Sequence, residues 1–151
     1  METIKDVRTR AERRRAVLDR LAAERDVWVA TAGADGTPCL VPLWFRWDGE
    51  AVWFATRRTN PTGRNLEGGA RARLALGDTE DVVMLDGEVT VFPAEEVPAG
   101  PADGFAARFG WDPRREAGYA YYRVVPDEVR AWRHVRELKG RQLLTPEDPA
   151  L

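Results

Sequence analysis

Cysteine is nearly missing from this sequence. Cys39 is the single one among 151 residues, so no disulfide can close within the chain and nothing points to an oxidising compartment. Histidine is as scarce. His134 stands alone, and with Cys39 it makes a poor metal set, since zinc takes four ligands in recognisable spacing. No catalytic triad is visible. No apolar run is long enough for a bilayer-spanning helix, and the opening METIKDVRTRAERRR is too charged for a secretory signal. A cytoplasmic protein with no membrane partner is the expectation. A formal net charge of −2 argues against a protein that coats nucleic acid. Internal repeats and low-complexity tracts are lacking as well.

What is present suits one packed domain. Hydrophobic residues make up 44% of the chain, enough for a core without staples. We expect a single domain over 1–151, with 1–8 and 140–151 as loose tails. Thr9 to Arg25 reads as a helix with an apolar stripe of Ala11, Val17, Leu18, Leu21 and Ala22. Its Arg13-Arg14-Arg15 run reads as a solvated face.

Strand periodicity then takes over. Val27 to Ala32, Leu40 to Trp47 and Ala51 to Thr56 form a predicted meander, with Asp35-Gly36 and Asp48-Gly49 supplying tight turns. Pro42 cannot donate to a ladder, so its strand needs an open or interrupted edge. Asn60-Pro61 has the form of a helix start, N-cap then first helical position, and Gly68-Gly69 ends that short helix. Arg71 to Leu76 alternates as a half-buried strand. Val82 to Leu85 and Glu88 to Phe92 are predicted as a hairpin about Asp86-Gly87, and Tyr119 to Val125 with Glu128 to Val135 as a last pair. Pro93 to Gly110, rich in Pro and Gly, reads as an insertion or lid with a helix only from Phe105 to Phe109. Trp28, Trp47 and Trp53 are expected in the core, as is Cys39. Trp44 is expected near a ligand ring, and Trp111 and Trp132 at a pocket or subunit border. Six to eight short antiparallel strands close most easily as a small barrel, so the fold class is mainly β.

The chemistry-bearing stretch is WFATRRTNPTGRNL, Trp53 to Leu66. It ends a strand, adds hydroxyl, amide and guanidinium groups, and opens a helix whose first N–H groups are unpaired. Local chemistry leaves two readings open: a phosphate cradle, or a capped helix with solvated arginines.

The order of these elements, with WVATAGADGTPCLVPLWFRWDG, AVWFATRRTNPTGRNL, ARARLAL, VVMLDGEVTV and VVPDEVRAW, resembles the pyridoxamine 5′-phosphate oxidase-like split β-barrel superfamily. It is most similar to the actinobacterial branch that uses FMN or the deazaflavin F420. The resemblance spans about residues 16–135. It implies that Thr56, Arg57, Arg58, Thr62, Arg64 and Asn65 hold a cofactor phosphate, and that Val41, Pro42, Leu43 and Trp44 lie beside the ring system. Many relatives carry lysine where Thr62 stands. It further implies a homodimer, with cofactor sites between subunits, and an oxidoreductase passing hydride to or from a small organic substrate. In such a protein the cofactor supplies the chemistry and no catalytic side chain is assigned. The alternative on the same barrel is a non-catalytic cofactor carrier or haem-binding protein. An oligonucleotide-binding barrel is disfavoured by the acidic balance and by the lack of aromatics interleaved with basic residues on one strand face.

Overall fold

The chain's first helix is fixed at its start by a reciprocal cap. In the computed structural model, which describes residues 7–151, Thr9 Oγ1 accepts from the Glu12 amide at 3.1 Å and Glu12 Oε1 accepts from the Thr9 amide at 3.1 Å. Helix α1 then runs Arg10–Ala23. It turns Val17 and Leu21 into the core, while Ala11 and Ala22 stay exposed. Arg13 shares the buried face with Val17 and Leu21. It is 5% exposed, so the arginine run is not wholly a solvated face.

Nine strands follow, all antiparallel: β1 Asp26–Ala32, β2 Pro38–Trp44, β3 Arg46–Trp47, β4 Val52–Arg57, β5 Arg71–Ala75, β6 Val82–Pro93, β7 Tyr119–Val124, β8 Glu128–Trp132 and β9 Gln142–Leu144. Helix α2 is Pro61–Leu66 and α3 is Ala99–Phe109. The hydrogen-bonded order is β2-β1-β5-β6-β7-β4-β3, with β8 against β6 and β9 against β8. The sheet curls around Val29, Phe45, Phe54, Leu74, Leu85 and Tyr122 as a split barrel. A second apolar layer lies outside it, where Ala102, Phe105 and Phe109 of α3 cover Trp53, Ala55 and Tyr121.

Several sequence expectations change. The meander breaks at Phe45, which is fully buried and whose amide donates to Arg25 O at 2.8 Å. As a result β2 stays with β1, whereas β3 and β4 leave for the other half of the sheet, and β4 pairs with β7. Among the described residues β2 pairs with β1 alone, so Pro42 sits on an edge strand. No hairpin forms at Asp86-Gly87; β6 continues through it for 12 residues. β7 and β8 do not pair with one another but follow each other along β6.

The Pro/Gly-rich stretch is packed helix, not a lid: α3 begins at Ala99 and buries three side chains. The segment after Gly140 is not a loose tail. Leu143 and Leu144 are buried in the core on β9. Of the other expected tail, residues 1–6 lie outside the described residues. Trp28 is 41% exposed, against the expectation of a core position, whereas Trp53 is buried and its indole N–H donates to Asp48 Oδ2 at 2.8 Å. Cys39 is half-buried.

The two ends of the described chain meet at Glu137, which is 1% exposed. Arg8 grips its carboxylate twice, at 2.7 and 3.0 Å, and the Arg133 amide donates at 2.8 Å. Arg13 adds bonds to Glu137 O at 2.9 Å and Gly140 O at 3.1 Å. The Arg8 guanidinium holds the Glu137 carboxyl down from an ordinary 4.5 to about 2. Glu137→Gln is expected to cost about 3 kcal/mol at neutral pH, read by urea unfolding, because it leaves buried cations unpaired. A depressed folded-state value means that this contribution is complete above pH 4.5 and lost as pH falls toward 2. Wild-type and variant stabilities should therefore converge over that interval.

Candidate functional site

β4 is buried on both faces, and its alternation sorts its side chains. Val52 and Phe54 enter the barrel, whereas Trp53 and Ala55 lie under α3. The strand ends at Thr56 and Arg57, and the chain turns through 58–60 into α2. That turn is tight. A Cβ on Gly63 would stand 2.5 Å from Arg57 O and 2.8 Å from Arg58 O, so α2 can sit this close to the strand end only through glycine.

A cleft of about 420 Å³ opens beside this strand end. One side is Pro42, Leu43 and Trp44 of β2; the other is Ala55, Thr56 and Asn60. Phe105, Trp111 and Tyr119 add an aromatic lining, and Asp26 is also among the lining residues. Trp44 is stacked on Phe109 at 5.0 Å with an interplanar angle of 6°, and Trp111 meets it edge-on at 6.4 Å. The Arg25 guanidinium lies 4.9 Å from the Phe109 centroid and 5.7 Å from that of Trp44. The indole is thus held by packing yet stays 42% exposed.

The predicted site residues divide into those that reach this cleft and those that do not. Pro42, Leu43, Trp44 and Thr56 line it. Val41 packs instead against the barrel core. Arg57 is exposed, its guanidinium 5.5 Å from the Tyr119 ring centroid. Arg58 turns to Glu67, with Nη2 3.3 Å from Oε1. Arg64 is exposed, and among the described residues neither it nor Arg57 forms an ion pair.

Thr62 and Asn65 are committed to packing α2 on the barrel. Thr62 is 2% exposed with its hydroxyl 3.6 Å from Cys39 Sγ, and Asn65 Nδ2 donates to Thr31 Oγ1 at 3.0 Å. Neither is among the cleft residues. Asn60 does not cap α2 with its side chain, because its amide donates to Thr56 Oγ1 at 3.0 Å. Sequence reasoning missed Asp26, Asn60, Phe105 and Tyr119 as cleft residues. The i, i+4 aromatic pair Phe105 and Phe109 was the available signal for a packed wall.

Comparison with known proteins follows the same outline. A family model described as pyridoxamine 5′-phosphate oxidase matches residues 14–133. No curated protein matches the sequence. Among solved structures, General Stress Protein 26 from Bacillus anthracis str. Sterne superposes with a TM-score of 0.60 at 15% identity, covering 78% of this chain and 91% of that one. The haem storage protein HutZ from Vibrio cholerae gives 0.63 at 13%, covering 78% and 92%. An F420 reductase gives 0.59 at 22%, covering 74% and 93%.

Gly63→Ala is expected to cost about 2 kcal/mol by overpacking against two backbone carbonyls. It should also push the 57–60 turn out of place, visible as amide shifts in NMR confined to that turn, α2 and the cleft. A glycine kept merely as a loop residue would give neither effect.

Proposed function

The chain belongs to the pyridoxamine 5′-phosphate oxidase family, and on that premise we propose that it binds FMN or F420 and passes hydride between that cofactor and a small organic substrate. The supporting observation is the meeting of β2 and the end of β4 in one cleft. It joins a held, half-exposed indole to a strand end with two guanidinium groups that pair with no carboxylate among the described residues. A flat ring beside Pro42, Leu43 and Trp44 leaves its phosphate toward Thr56, Arg57 and Arg64, where charge-assisted bonds are available. Val41 backs the ring strand. Arg58, turned to Glu67 and away from the cleft, is left out of the phosphate contacts, and Thr62 and Asn65 act by seating α2 beneath them.

The chain's own residues fit such a group in kind: the cleft lining is aromatic and apolar, and the Arg57 guanidinium stands 5.5 Å from the ring of Tyr119, a lining residue. When bound, the cofactor supplies the hydride chemistry. The protein's part is to orient the ring, exclude water with Phe105 and Trp111, and offset the phosphate charge. F420 and FMN share this need, so both belong to the proposal, and a cytoplasmic setting goes with it.

The outer face of β1 and β2 also needs a cover. Trp28, Leu40 and Trp44 are 41%, 62% and 42% exposed, and the register sets Trp28 opposite Pro42 and Ala30 opposite Leu40. This apolar sheet face borders the cleft, and a second copy of the chain is its proposed occupant. The homodimer would then complete each cleft.

Two measurements test the proposal. Titration with FMN and F420 should quench the fluorescence of at least one, and Arg57→Ala should weaken binding about tenfold while leaving phosphate-free riboflavin unaffected. Absence of binding by both, with a haem titration giving a saturable absorbance change, would transfer the assignment to the non-catalytic haem-binding alternative. Light scattering should give twice the 17.0 kDa chain mass, and Leu40→Arg should yield monomers that bind cofactor weakly. A wild-type monomer that binds cofactor fully would remove the dimer from the proposal.

A further inference from the structure

The barrel has a second opening, away from the cleft. The β5–β6 ladder ends where the Val89 amide donates to Ala70 O at 2.8 Å, and from Thr90 to Pro93 β6 is paired with β7 alone. Opposite that edge, Gly68 and Gly69 curl away at φ of 80° and 87°, conformations that L side chains rarely take. Between them lies a pocket of about 570 Å³ that shares no lining residue with the cleft.

Its inner wall is barrel interior. Val89, Val91 and Pro93 recur at every second position of β6, and Tyr122 stands opposite Val91 in the ladder. The Tyr122 ring is stacked on Phe54 at 5.2 Å, and the residue is fully buried. Its hydroxyl has no hydrogen-bond partner among the described residues. A buried hydroxyl with no partner leaves its lost hydration uncompensated, so this group is a poor choice for a site that serves packing alone. Arg58 and Glu67 face each other across the rim at 3.3 Å, both exposed. Burial raises the Tyr122 phenol, with Arg58 opposing and Glu67 adding to the effect, so both rim charges lie within electrostatic reach of it.

We propose that this barrel mouth is a second small-molecule site, for a compact monocarboxylate with an apolar body. The ligand's carboxylate displaces Glu67 from Arg58 and accepts from the Tyr122 hydroxyl, while its body lies along Val89, Val91 and Pro93. The arrangement gives a buried donor its missing acceptor and meets the guanidinium with the charge it already pairs. An apolar wall with few convergent polar groups is the general form of such sites.

Calorimetric titration of the full chain with 4-phenylbutyrate, and with 4-phenylbutanol as the uncharged control, tests it. The acid should bind at least tenfold more tightly than the alcohol. Tyr122→Phe should weaken the acid at least tenfold without lowering the thermal midpoint, since it deletes an unpaired hydroxyl. Val91→Trp, which fills the mouth, should abolish binding. No binding of 4-phenylbutyrate by the wild type would overturn the proposal, as would unchanged binding in Tyr122→Phe. FMN and F420 titrations of Tyr122→Phe should match wild type, so failure of the cofactor reading and failure of this one are separable.

Discussion

Burial of β4 on both of its faces is the constraint from which the architecture follows. A six-residue strand that sends Val52 and Phe54 into the barrel and Trp53 and Ala55 outward needs two separate apolar layers. The outer one is α3. This is why a helix is found in a stretch of poor helix formers, and why an aromatic wall stands beside the cleft. Full pairing with β7, from Val52↔Val124 to Arg57↔Tyr119, carries the order of the ladder to the strand's last residue. The turn that follows therefore starts from a fixed point, and Gly63 lets α2 return onto it.

Local turn chemistry was legible where it acted as turn chemistry. Gly36 and Gly49 have positive φ in the turns that sequence assigns to them. Asp86-Gly87 has the same letters and a different cause. Gly87 is not at positive φ; a Cβ there would stand 2.5 Å from Val125 O. Asp86 is held by Arg73 through two bonds of 2.8 Å. The pair serves close approach and charge, so a hairpin signal appears inside a continuous strand. Gly104 in α3 is similar: its missing Cβ makes room for the Arg46 guanidinium, 2.6 Å from where that atom would be. Pro101 falls in the first turn of α3, where no amide is required of it. Such reasons are tertiary and leave no periodic trace.

The C-terminal segment was misread for a related reason. Gln142–Leu144 is too short to show alternation, and arginines of α1 hold it, Arg10 donating to Gln142 O and Arg14 to Leu143 O. Arg13 looks like part of a solvated run because sequence shows charge but not partners. Glu137 and the carbonyls around Gly140 make that arginine a buried fastener between the helix and the chain end. The half of the candidate site on β2 was legible because it lies on one strand. Of the aromatic wall, Trp111 was expected at a pocket border, whereas Phe105 was not, since it reaches the cleft through the packing of a helix in a segment that reads as a lid.

The same partner test separates the arginines around α2. A solvated guanidinium without a carboxylate costs little, so the freedom of Arg57 and Arg64 is not by itself a sign of binding. Position supplies the missing part. Arg57 lies over Tyr119, a wall of the cleft, whereas Arg58 faces Glu67 at the barrel mouth. Adjacent residues at the strand end therefore face different openings. A phosphorylated ring needs cation and aromatic floor within one molecule's length, and on the proposed reading the end of β4 beside Trp44 supplies both. The barrel mouth offers a cation with an aliphatic wall and a phenol, which selects a different ligand.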